Sequence, residues 1–151
     1  MIAIAGMANN DLIVMNMQGE ASTLCEGAFV FVNHNKGRFL ISGVAAAYHF
    51  ENGKIVHRSA PGEAPPFGAS YHYSPRLEPT FELGKAEHAF LTLSRSLAIR
   101  IGDEELEGSL VGVETAEQWM QHLTELAGHE TQFCAVTAFL PPARPGLLKR
   151  I

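Results

Sequence analysis

An Asn52-Gly53 pair between two apolar stretches is the feature that most narrows how this chain can fold. Both residue types accept the positive φ angles of a two-residue turn, so the pair predicts a β-hairpin. In that hairpin Glu51 and Lys54 face each other across the turn. Because side chains alternate along a strand, an unbroken register also places His49 and His57 on opposite faces of the sheet.

Turn residues divide the remaining apolar stretches in the same way. Residues 8–11 contain two asparagines and predict a tight turn near the N-terminus. Gly102-Asp103 predicts a type II′ turn, with glycine in its first central position. The strands expected beside these turns and elsewhere span 1–7, 12–17, 28–33, 38–50, 80–83, 88–93, 96–101, 104–110 and 132–140.

One segment has helical periodicity instead. Thr115 and Gln118 fit a capping box, in which the hydroxyl accepts from the amide three residues on and the Gln side chain reaches back. Apolar residues, Trp119 among them, then recur at helical spacing until Gly128, which suits a helix stop. The pattern predicts a helix over about 115–127.

Together these elements predict the α+β class: a mostly antiparallel β-sheet of about eight to ten short strands with one helix in the C-terminal half. The sheet is either open or curled into a half-barrel. A chain of 151 residues is long enough for one hydrophobic core. A single domain over 1–142 and an extended C-terminal arm over 143–151 are therefore expected.

Charge and hydropathy argue against several partners. The formal net charge is -5 with scattered basic residues, whereas broad nucleic-acid binding needs a dense basic face. No segment approaches the roughly 18 apolar residues of a membrane span, and the N-terminus lacks the basic start of a signal peptide. Cys25 and Cys134, far apart in the chain, are expected to be buried thiols. These features predict a cytoplasmic protein without nucleic-acid or membrane partners.

The sequence lacks the compact signatures of catalysis. It has no phosphate-binding loop, no dinucleotide fingerprint, no Gly-x-Ser-x-Gly elbow, no Cys-x-x-Cys and no His-Glu-x-x-His. No cofactor and no metal are expected on this ground. The absence weighs against an enzyme but leaves the question open, because distant residues can also assemble a site.

Two segments are candidate contact surfaces. The stretch 59–79 holds five prolines and the aromatic tract Tyr71-His72-Tyr73, preceded by Phe67. Prolines restrict the backbone before a partner binds, and tyrosines supply a large contact area while losing little side-chain entropy on binding. The second candidate is the arm, whose contact residues are Arg144, Leu147 and Leu148.

These surfaces predict a non-catalytic binding or assembly protein, of the accessory, particle-assembly, immunity or inhibitor type. Its partner is another protein or a second copy of the chain, which makes a homo-oligomer the expected state. The alternative is a small enzyme or ligand-binding barrel, with or without a metal. Its pocket would use His57, His72, Tyr71 and Glu78, and His88 or Glu82 are further candidate metal ligands.

Overall fold

The computed structural model describes residues 2–19, 22–60, 64–129 and 135–140. Twelve elements are present in these ranges. In chain order they are α1 (Ile2–Gln18), β1 (Gly27–Asn33), β2 (Lys36–Ser42), β3 (Ala46–Glu51), β4 (Lys54–Arg58), β5 (Arg76–Leu77), β6 (Phe81–Glu82), β7 (His88–Leu93), α2 (Arg95–Ala98), α3 (Asp103–Gly108), α4 (Ala116–Ala127) and β8 (Ala135–Leu140).

The strands form two four-stranded antiparallel sheets. The first has the order β1-β2-β5, with β6 also pairing with β2, and the second has the order β4-β3-β7-β8. The described strands close into no barrel. The predicted α+β class with a mostly antiparallel sheet is confirmed.

Two apolar layers hold the fold together, one on each face of the second sheet. The layer between the sheets contains Phe39, Ile41, Ala47, Phe81, Leu83 and Phe90. The layer between the second sheet and helices α2 to α4 contains Tyr48, Phe50, Ala89, Leu91, Leu93, Leu97, Ile101, Leu106, Trp119, Leu123 and Ala127. Strand β3 supplies both layers because its side chains alternate between the two faces.

Gly43 divides the single strand expected over 38–50. The chain leaves the first sheet after Ser42 and enters the second at Ala46. Gly43 has a φ of 74°, a left-handed conformation that glycine adopts without steric cost. The turn therefore lets one continuous apolar stretch serve two sheets.

The hairpin expected at the N-terminus is wrong, since residues 2–18 form α1. Asn9 is not a turn residue but a fully buried anchor. Its side chain accepts from the Gly68 amide at 2.9 Å and donates to the Ser70 carbonyl at 2.9 Å. Asn9 thus ties α1 to the proline-rich loop, and the Ala, Met and Leu around it are good helix formers.

The hairpin expected at Gly102-Asp103 is also wrong. Gly102 is the N-cap of α3, and its amide donates to the Glu105 carboxylate at 2.9 Å. Three acidic residues occupy the first turn, where the helix dipole favours negative charge. The preceding stretch, expected as a strand, contains the short helix α2.

Helix α4 agrees with the expected helix. The Thr115 hydroxyl accepts from the Gln118 amide at 3.2 Å, and the Gln118 side chain accepts from the Thr115 amide at 3.2 Å. Trp119 is fully buried beneath the helix, where its indole N–H donates to Ser109 Oγ at 2.8 Å. Capping and burial therefore act together on this element.

Some expectations lie outside the described residues. They concern Cys134 and the arm, including Arg144, Leu147 and Leu148. The expected limits of the domain and the arm therefore stay predictions. Cys25 is described, and it is an exposed free cysteine rather than a buried one. No described helix is long and apolar enough to cross a membrane.

We predict that Gly37→Ala destabilises the protein by about 2 kcal/mol, because the added methyl group would overlap the Phe81 ring paired with it. Gly6→Ala is the matched control, since its methyl group meets open space on α1 and alanine is the better helix former. Urea unfolding measures both changes. Equal stability of the two variants would contradict the close packing between the sheets.

Candidate functional site

The register of the β3–β4 hairpin changes after two residue pairs. Glu51 faces Lys54 as expected, but a bulge between His49 and Phe50 then sets His49 opposite His57. The expected separation of these two histidines is therefore wrong. Their rings stack 5.6 Å apart at an angle of 5° on the same face of the sheet.

His49 and His88 form a buried pair between the sheets, with exposures of 1% and 2%. His88 Nε2 lies 3.1 Å from the Gly84 carbonyl, which can only accept, so this nitrogen carries the proton. His88 Nδ1 then accepts from His49 Nε2 at 3.0 Å. The remaining nitrogen, His49 Nδ1, is buried without a hydrogen-bond partner.

Aromatic rings enclose this pair. His49 stacks on Phe81 at 4.8 Å and on Phe90 at 5.0 Å. Burial, followed by the neighbouring His88 and His57, lowers the pKa of His49 to about 4. His49 is neutral at pH 7, and the buried pair is closed to substrate, so it is a structural rather than a catalytic cluster.

The residues of the alternative enzyme site contact different neighbours. His57 stacks on Phe81 at 4.8 Å, while Glu78 is paired with Arg76 at 3.0 Å. The backbone of exposed His72 donates to Ser70. Within the ranges given above, no group of three or more His, Cys, Asp or Glu side chains is arranged to hold a metal ion.

The proline-rich loop presents only part of its aromatic tract. Phe67 is buried and stacks on Tyr73 at 4.8 Å. Tyr71 is 58% exposed, and its hydroxyl donates to Met17 Sδ at 3.0 Å. The loop is thus packed onto its own chain through Phe67, Tyr73 and α1.

A pocket of about 480 Å³ opens on the helix side of the second sheet, and we call it the arginine pocket. Tyr48 and Arg58 face each other across β3 and β4, and α2 brings Arg95 to the same place. Its described lining residues are Val44, Ala45, Ala46, Tyr48, Arg58, Ser59, Ala60, Arg95, Ala98 and Ile99.

The two arginines differ in their partners. Arg58 is paired with Asp103 at 3.2 Å, and both side chains are more than half exposed. Arg95 is exposed and has no ion pair with any residue of the described chain. Burial and the Asp103 charge raise the pKa of Tyr48, so its phenol stays protonated and able to donate.

Two further pockets are acidic. The larger, of about 680 Å³, is lined by Glu87, Glu104 and Glu107 with one lysine, Lys54. Lys54 and Glu107 are paired at 2.7 Å. The other contains two glutamates and one histidine among its lining residues. Neither pocket offers a net positive wall to an anion.

The residues of the arginine pocket could not be predicted from the sequence because they belong to no common motif. Arg58 faces Tyr48 only because of the bulge, which the unbroken register did not include. Arg95 lies just before a stretch that was expected to be a strand. The sequence signal for this site is an arginine, Arg58, close to the strand partner of a tyrosine, Tyr48, and such a pair does not distinguish a binding site from an ordinary hairpin.

No family model matches this sequence, and no curated protein matches it. Solved structures do share its fold. A bacterial serine phosphatase has a TM-score of 0.76 at 15% identity over 93% of this chain and 68% of that one. The S. agalactiae serine/threonine phosphatase has a TM-score of 0.71 at 12% identity over 91% and 67%.

A third structure is the catalytic domain of the serine/threonine protein phosphatase PstP in complex with two manganese ions. Its TM-score is 0.67 at 14% identity, over 87% of this chain and 66% of that one. The present chain thus spans about two thirds of the length of these phosphatases.

This likeness contradicts the expected non-catalytic binding or assembly protein. The three structures named above share the fold over about nine tenths of the chain, and all three are phosphatases, which are enzymes. The alternative expectation, a small enzyme, agrees better with these structures. The absence of sequence motifs wrongly favoured a non-catalytic protein. At 12–15% identity the likeness to these phosphatases is seen in the three-dimensional structure and not in the sequence.

We predict that the protein loses stability as the pH falls from about 7 to 4. Unfolded His49 takes up a proton near its ordinary pKa of 6.5, whereas folded His49 does so only near 4. The unfolded state therefore binds more protons in this window, at a cost of up to about 3 kcal/mol.

His49→Phe removes this contribution, so urea unfolding across the pH series should show a shallower loss. The control is His72→Ala, which removes an exposed histidine and keeps the original slope. An unchanged slope in His49→Phe would contradict a neutral, buried His49.

Proposed function

We propose that this chain is an enzyme domain that hydrolyses phosphoserine or phosphothreonine side chains of proteins. The observation that carries the proposal is the shared fold with serine and serine/threonine phosphatases, at TM-scores of 0.67–0.76 over 87–93% of the chain. Self-association and a cytoplasmic location stay predictions, tested by sedimentation and by cell fractionation.

The proposed substrate site is the arginine pocket. Its size suits a small polar group, and its two guanidinium groups can bind phosphate oxygens in a bidentate manner. In the reaction a water oxygen forms a new bond to phosphorus while the bond to the serine oxygen breaks. The serine oxygen takes up a proton, and inorganic phosphate leaves. Fixed positive charge stabilises the negative charge on the phosphoryl oxygens.

The described residues do not fit the manganese pair that PstP binds. Mn²⁺ favours carboxylate oxygens, and two metal ions need several of them close together, but the two aspartates of the chain, Asp11 and Asp103, have separate surroundings. Asp11 lies on α1, and Asp103 is paired with Arg58. No cluster of candidate ligands is present in the part of the chain that is described. No step of the proposed reaction is therefore assigned to a metal.

The test is phosphate release from phosphoserine and phosphothreonine peptides by the purified full chain. Ala60→Trp should abolish release, because an indole at this exposed position of the pocket wall blocks the cavity. Ala69→Trp is the matched control, since Ala69 is exposed in the proline-rich loop and lines none of the three pockets.

We expect the unmodified chain and Ala69→Trp to release phosphate at the same rate. Absence of phosphate release by the unmodified chain would overturn the proposed hydrolysis, and release that Ala60→Trp does not lower would overturn the arginine pocket as its site.

A further inference from the structure

We infer that the arginine pocket binds a phosphate monoester dianion through the fixed charges of Arg95 and Arg58, without a bound manganese ion. The inference deepens the proposed function and rests on it for the identity of the ligand. The presence of an anion site rests on the pocket itself.

The first support is local charge. The chain carries a formal net charge of -5, yet the charged residues among the described lining of this pocket are both arginines. Asp103 is not among the lining residues, and its carboxylate affects the charge of the pocket through its ion pair with Arg58. In the two other pockets acidic residues predominate, and there a phosphate dianion would be repelled.

The second support is the kind of donor present. Tyr48 and Arg58 are direct neighbours on adjacent antiparallel strands, so their side chains start about 5 Å apart. The Tyr48 phenol, protonated at neutral pH, adds a neutral donor beside the guanidinium groups. Phosphoryl groups are commonly bound by donors of this type, arginine above all.

The third support is the apolar wall. Val44, Ala45, Ala46, Ala98 and Ile99 line the pocket around the polar groups. An apolar wall lowers the local dielectric constant and so strengthens the attraction between guanidinium and phosphate. It also leaves room for the aliphatic carbon of a phosphoserine side chain.

The two arginines should contribute unequally. Asp103 already neutralises part of the Arg58 charge, whereas Arg95 has no counter-ion in the described structure. Binding should therefore depend more on Arg95, and Asp103 should weaken it by competing with the ligand for Arg58. This competition gives a test that a merely structural role of the arginines would not satisfy.

The experiment is isothermal titration calorimetry of the full chain, in EDTA, with a peptide that carries a non-hydrolysable phosphonate analogue of phosphoserine, so that the proposed hydrolysis does not consume the ligand. We expect binding to persist in EDTA and to weaken at least tenfold in Arg95→Ala. Arg95→Lys should lose only about threefold, because charge remains while the bidentate geometry is lost. Asp103→Asn should tighten binding about threefold, since the competing carboxylate is removed.

Two controls change charge elsewhere. Lys85→Ala removes a positive charge in the exposed β6–β7 loop, and Glu125→Gln removes a negative charge on α4, outside the pocket. Neither should shift the affinity. A second titration with inorganic phosphate separates recognition of the phosphoryl group alone from recognition of the peptide around it.

Binding that is lost in EDTA and restored by manganese would overturn the inference. So would an affinity that neither Arg95→Ala nor Asp103→Asn changes. Arginine-dependent binding without phosphate release would overturn the proposed hydrolysis and leave the anion site standing. Phosphate release that Arg95→Ala does not change would overturn the anion site and leave the proposed hydrolysis standing.

Discussion

The rest of the structure depends on β3 being buried on both faces. His49 faces the layer between the sheets, while Tyr48 and Phe50 face the helices. The turn at Gly43 leads the chain from the first sheet into β3, and the bulge between His49 and Phe50 sets which residues of β4 face which residues of β3. One strand thus determines both the closed histidine pair on one side and the open arginine pocket on the other.

Local signals in the sequence were sufficient where one residue pair decides an element. The Thr115–Gln118 capping box gave α4, and Asn52-Gly53 gave the first turn of the hairpin. They failed where distant contacts decide. The sequence pattern predicts a turn at Asn9, but the hydrogen bonds of its side chain to the backbone of Gly68 and Ser70 hold it within a helix. The bulge could not be predicted from the sequence because an unbroken register is equally compatible with the residues of both strands. The arginine pocket depends on that bulge, and so it could not be found.

The backbone shares its architecture with phosphatases, one of which holds two manganese ions, whereas the described side chains supply no cluster of metal ligands. Folds hold many chemistries because sites are built from a few side chains on a common frame. Here the frame is kept by apolar burial, and positive charge is supplied by guanidinium groups at the end of β4 and the start of α2.

The most direct test is a crystal structure of the full chain grown in EDTA with a peptide that carries a phosphonate analogue of phosphoserine, which the proposed hydrolysis cannot cleave. The account predicts that the phosphoryl group lies between the guanidinium groups of Arg58 and Arg95, near the Tyr48 phenol, with no metal density beside it. A phosphoryl group bound at another surface, or an empty arginine pocket in the presence of bound peptide, would contradict the account.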